Sequence, residues 1–116
     1  MKVYVYYNLH KHLFSVKALE GENKGRVVAH VKHISLEDVV FKVSKAGRAR
    51  VLREQRKNVH AGARGTWVVG ANEPHSLTQV TYNPYLYSTF VQADTLEPVY
   101  NASYAYLHDK RIFAQL

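Results

Sequence analysis

Arg50, Arg53 and Lys57 stand three and four residues apart with Arg56 beside them, a spacing that lines cations along one side of a helix. The chemistry open to such a row is phosphate recognition. Guanidinium groups grip phosphate oxygens in pairs, and lysine adds a mobile point charge. Lys45 shares the same sector of the helix. Asn58, His60 and Arg64 follow it in a short stretch, NVHAGARG (58–65), whose Gly62, Ala63 and Gly65 let backbone amides approach an anion closely. His60 brings an imidazole, a side chain suited to general acid–base work, with Arg56, Lys57 and Arg64 close in sequence to stabilise a pentavalent phosphate. Metal-independent ribonucleases need such a set, with a second acid–base group for which Glu54, His10 and Tyr82 are the candidates. The simpler reading of His60 is a polar member of a phosphate-binding loop, and it is the one adopted here.

Two tyrosines form a second group. Tyr82-Asn83-Pro84-Tyr85 reads as a turn, since Asn-Pro disfavours helix. Tyr82 and Tyr85 on such a turn, beside a basic groove, would stack on bases, worth about 1–3 kcal/mol per base. Sheet packing is the competing role for both, and the favoured one for Tyr87. Asn8, His10, Lys11 and His12 make a polar hairpin tip within reach of an anion. The pairs His10-x-His12 and His30-x-x-His33 lack a third ligand at zinc spacing, so no metal and no cofactor is expected. No phosphate-binding Walker loop, G-x-S-x-G elbow or G-x-G-x-x-G turn occurs, which leaves ATP, serine-hydrolase and dinucleotide chemistry without support. With no cysteine, disulfides and thiol catalysis are excluded.

The distribution of charge strengthens the phosphate reading. Residues 42–64 hold eight bases (Lys42, Lys45, Arg48, Arg50, Arg53, Arg56, Lys57, Arg64) and one acid, Glu54, a net of +7 that equals the charge of the whole 116-residue chain. Elsewhere bases and acids balance. A field confined to one segment collects anions locally instead of merely aiding solubility.

These residues need a scaffold, and the hydrophobic period supplies it. Val3 and Val5 alternate with Tyr4 and Tyr6 over 2–7, a turn follows at 8–12, and 13–19 returns as a second strand. After the turn EGENKG (20–25), alternation resumes at 27–31 and again at Val39, Phe41 and Val43. At Ser44, a good N-cap, the period changes. Residues 45–57 read as a helix that Asn58 closes in a left-handed conformation. At 100° per residue Gly47, Val51, Leu52 and Gln55 share one sector. Lys45, Arg50, Arg53, Arg56 and Lys57 share the opposite one, and Arg48 stands at the edge of the apolar side. Residues 58–65 read as an irregular loop, 66–70 as a strand and 71–79 as a polar loop; 86–92, 99–107 and 111–116 read as strands, the last two joined by His108-Asp109-Lys110. The expected fold is a single α+β domain over 1–116, an antiparallel sheet or small barrel with one main helix (about 44–58) packed against it. No apolar run reaches the ~18 residues of a membrane span, and the N-terminus is too short and polar for a signal-peptide core.

The strings NLHKHLFSV (8–16), GRVVAHV (25–31), FKVSKAGRARVLREQRKNVHAG (41–62) and VTYNPYLYSTFV (80–91) resemble a family of small uncharacterised proteins encoded in tailed-bacteriophage genomes. That resemblance spans most of the chain and is most specific at 41–62. It implies work in the cytoplasm of a host cell, either on nucleic acid or against a host machine.

Taken together, the residues predict a small basic protein that binds nucleic acid, single-stranded or RNA in preference, by its phosphate backbone. Lys45, Arg50, Arg53, Arg56, Lys57, Asn58, His60, Arg64, Tyr82 and Tyr85 are the expected contacts. Two alternatives stay open: a phage inhibitor contacting an acidic host or defence protein, and a metal-independent endoribonuclease acting through His60. No membrane partner is expected, and the sequence leaves the oligomeric state undetermined.

Overall fold

Alternating apolar and polar residues dominate this chain, and that period sets the architecture. The computed structural model describes residues 1–69 and 76–116. The chain runs β1 (Lys2–Asn8), β2 (Leu13–Ala18), β3 (Val27–Val31), β4 (His33–Val43), α1 (Lys45–Glu54), β5 (Ala61–Val68), β6 (Thr78–Thr81), β7 (Val91–Gln92), β8 (Asn101–His108) and β9 (Arg111–Gln115). The strands form one sheet in the order β3-β2-β1-β5-β4-β8-β9-β6-β7, and each pairing among the described residues is antiparallel. Among the described residues the order runs from β3 to β7 with no pairing between these two ends, so the fold is a mostly antiparallel sheet with one short helix.

One face of the sheet carries the core. Val3, Val5, Phe14, Val16, Ile34, Leu36, Val39, Phe41, Ala63 and Leu107 are buried there, joined by Phe90 and Val99 from the segments flanking β7. Burying a side chain of the size of Val, Leu or Phe is worth roughly 1.5–3 kcal/mol. Period-two alternation then puts Tyr4, Tyr6, Lys17 and Arg64 on the opposite, outer face.

Several elements differ from the sequence-based expectation. Residues 33–38 extend β4, because the pairing shifts between Glu37 and Val40, where Asp38 takes φ 51°. This bulge resets the phase, so that Leu36 and Val39, three apart, both face the core. The glycine-bearing stretch after the helix is not an irregular loop: from Ala61 it is β5, between β1 and β4 at the middle of the sheet. Its glycines serve close approach instead of turning. A Cβ at Gly62 would collide with the carbonyl oxygen of Val5 and come within 2.7 Å of the Tyr4 ring, and one at Gly65 would lie 2.8 Å from the carbonyl of Glu37.

The helix is shorter than expected. Ser44 caps it, its Oγ accepting from the Gly47 N–H at 3.1 Å. It ends at Glu54 because Gln55, not Asn58, turns left-handed (φ 54°) and donates its N–H to the Val51 carbonyl at 2.8 Å. Arg56, Lys57 and Asn58 therefore lie beyond the helix.

Elsewhere β6 occupies part of the expected polar loop, and 86–92 is strand only at Val91–Gln92. Positions 70–75, at the end of the expected 66–70 strand and the start of that loop, lie outside the described residues. The β8–β9 hairpin forms as read, its two central residues Asp109 and Lys110 both left-handed (φ 51° and 64°), as a tight hairpin turn requires.

Candidate nucleic-acid interface

Arg48, at the edge of the helix's apolar sector, is a clamp. Its Nε donates to the carbonyls of Pro84 at 3.1 Å and Tyr87 at 2.9 Å, which ties the Asn83–Tyr87 turn to α1. Gly47 lets the helix sit directly against His60, for a Cβ there would stand 2.5 Å from the His60 Cβ. Val51 is buried but lies outside the main hydrophobic cluster, so the helix is held mainly by polar clamps at its inner side.

His60 links the helix exit to the core. Its Nδ1 lies 3.1 Å from the Asn58 carbonyl and 3.1 Å from Asn58 Oδ1. A carbonyl only accepts, so Nδ1 carries the proton, and in the neutral ring Nε2 accepts from the Tyr82 hydroxyl at 2.7 Å. The Tyr82 ring in turn packs on His60 and Phe90, with centroids 5.4 and 5.3 Å away. This relay fixes Asn58 at the start of the path back into the sheet.

Burial pushes the Tyr82 phenol above its ordinary pKa of 10.0, partly offset by the Arg48 guanidinium; burial and then Tyr6 push Tyr4 up likewise. A phenol whose pKa is higher in the folded than in the unfolded chain contributes fully below pH 10.0. That contribution is lost as pH rises from there through the folded value. The urea midpoint should accordingly fall above pH 10.0, and fall less steeply in Tyr82→Phe. An identical alkaline decline in both proteins would contradict the burial of the Tyr82 phenol.

A groove of about 690 Å³ opens on the outer face of the sheet. Tyr4 and Tyr6 of β1 and Lys17 of β2 form its floor, the hairpin tip at Asn8, Leu9 and His10 closes one end, and Lys57, Asn58 and Val59 make a wall. No acid lines it. The pairing register sets Lys17, Tyr4 and Arg64 side by side across β2, β1 and β5, so two cations flank Tyr4 on one face. A second hollow, about 590 Å³, lies on the other side of the helix between Lys42, Lys45, Arg48 and Tyr100.

Comparison with known proteins places this geometry in a lineage. A family profile described as the Mycobacterium phage L5 gene 82 protein matches residues 1–115. The chain belongs to this gene 82 family. The gene 82 protein of Mycobacterium phage L5 is 40% identical over 120 residues, covering 98% of this chain and 95% of that relative. No solved structure matches. The phage-encoded family implied by the four strings is therefore established.

In this gene 82 family member the ten expected contacts fall into three groups. Lys57 and Asn58 line the outer groove, and Arg64 flanks its floor. Arg56, exposed, immediately precedes Lys57. Lys45, Arg50 and Arg53 are exposed on the helix, with Arg50 engaged by Glu54 at 3.0 Å, and Lys45 faces the second hollow. His60 and Tyr82 are tied to each other and to Asn58, while Tyr85 is 54% exposed on its turn. Tyr4, Tyr6 and Lys17 were missed. Their signal was the alternation of Tyr4 and Tyr6 with buried Val3 and Val5, but only the β2–β1–β5 register sets them beside Arg64. Among the described residues no group of three or more ligands suited to a metal occurs, and no helix is long and apolar enough to cross a membrane.

Proposed function

We propose that this gene 82 family protein binds single-stranded nucleic acid along the outer face of its sheet and the segment leaving α1. One observation carries the reading. Arg53, Arg56, Lys57 and Arg64 are all exposed, and among the described residues none of them is joined by an ion pair, whereas Arg50 is matched with Glu54. Of these, Lys57 lines a groove with an aromatic floor and, among the described residues, no acid, and Arg64 pairs across the strands with its floor residue Tyr4. Charges left unneutralised on one surface release counterions from a phosphate chain, which is the main source of affinity for nucleic acid.

A single strand suits the surface better than a duplex. The short helix exposes Lys45, Arg50, Arg53 and Glu54, and its one acid, Glu54, is engaged by Arg50 at 3.0 Å and so is not free to read base edges in a major groove. An aromatic floor contacts base faces that a duplex keeps stacked. In this reading His60 and Tyr82 support Asn58 and Lys57 and do no chemistry. Fluorescence anisotropy with single-stranded RNA, single-stranded DNA and duplex DNA in EDTA tests it. Submicromolar binding of a single strand, about tenfold weaker for the duplex, is expected. No binding of any of the three at low salt would overturn the reading and turn the positive surface toward an acidic protein partner.

A further inference from the structure

The floor of the outer groove carries more than charge. Tyr4 and Tyr6 are neighbours on it, ring centroids 6.0 Å apart and planes inclined by 37°. Both rings are half-buried, yet among the described residues neither hydroxyl makes a hydrogen bond. Tyrosines that only pack usually find a partner for the hydroxyl as they become buried. These two instead line an open concavity, with cationic Lys17 directly across the strand pair from Tyr4.

The wall adds one oriented donor. The carbonyl and Oδ1 of Asn58 both accept from His60 Nδ1, which leaves the amide Nδ2 as the end of that side chain with no hydrogen bond among the described residues. Asn58 lines the groove, so the relay from Tyr82 through His60 presets a hydrogen-bond donor there. The other asparagine of the groove, Asn8, is already used: its Oδ1 accepts from the N–H groups of His10 and Lys11, and its Nδ2 donates to Ser15.

We infer that this groove is a nucleobase site, in which an unpaired base of a bound strand stacks on Tyr6 and Tyr4. An acceptor on the base edge takes a hydrogen bond from Asn58 Nδ2, and the adjoining phosphates lie on Lys17 and Lys57. The inference rests on the single-strand reading and adds to it which part of the strand is gripped. Stacking requires a base face and tolerates any base, whereas phosphate contacts are indifferent to whether a base is present.

The test compares two labelled oligomers of equal length and charge, an oligothymidylate and its abasic counterpart, by anisotropy on the intact protein. The base-bearing oligomer should bind at least about tenfold more tightly. Tyr6→Leu, which keeps apolar bulk on the strand, should shrink that ratio toward unity, while Lys57→Ala should weaken both oligomers by a similar factor and leave the ratio in place. Tyr4 is unsuited to this test because its ring also covers Gly62. Equal affinity of the unmodified protein for the two oligomers would overturn the base site alone, as would a ratio unmoved by Tyr6→Leu. Binding of neither oligomer would overturn the single-strand reading and the base site with it.

Discussion

Replacing Arg56 and Lys57 together by glutamate is expected to weaken single-strand binding about 100-fold near 0.1 M salt. Each phosphate contact on a single strand contributes about 0.7 to the log–log salt slope, which corresponds to roughly a fivefold change in affinity at that salt. Losing two contacts gives about 25-fold, and repulsion by the two new carboxylates supplies the rest. Both residues lie beyond the last helical residue, Glu54, and both are exposed, so the fold should tolerate the change. An unchanged melting curve with lost binding is the expected pair of results. Affinity within about twofold of the unmodified protein would remove the 56–58 segment from the interface.

Arg48→Met should produce the largest loss of stability, about 3 kcal/mol. A hydrogen bond from a charged donor contributes about 1.5–3 kcal/mol, and the one N–H of Arg48 Nε is shared between the carbonyls of Pro84 and Tyr87. Methionine keeps the apolar stem and removes the donor, so the Asn83–Tyr87 turn would lose its tie to the helix. A thermal midpoint lower by about 10 °C is expected. A fall of less than about 2 °C would show that the turn is held by Tyr82, Phe90 and Val91 without the clamp.

Arg48 also shows how far residue order alone reaches. Its angular position separated it from the exposed cations, and among the described residues it is the one helix cation whose side chain is tied to another part of the chain by backbone carbonyls. The strands with simple alternation, β1, β2, β3, β8 and β9, were likewise legible, because a half-buried antiparallel strand writes its two faces into every second residue. Where a strand changes phase or carries glycine, the local signal misleads. The bulge at Asp38 broke the alternation of β4, and Gly62 and Gly65 imitated a loop in β5 although both mark close backbone approach. The helix end at Gln55 was hidden for a different reason: a residue with ordinary helix propensity takes the left-handed cap there.

The candidate site divides along the same line. Its charges were visible because they are contiguous in sequence. Its floor was not, because Tyr4, Lys17 and Arg64 come from three strands whose neighbourhood is decided by long-range pairing. By residue type His60 was read as a polar member of a phosphate-binding loop and Tyr82 as a stacking ring. The structure assigns both to a relay that orients Asn58, a role visible only once residues 22 positions apart meet.

The measurement that bears most directly on nucleic-acid binding is the affinity of the intact protein for a single-stranded oligomer across a salt series. A log–log slope of about −2 to −4, with submicromolar affinity at low salt, is expected for three to five phosphates held by the unmatched cations. A slope near zero, or no binding at low salt, would contradict it.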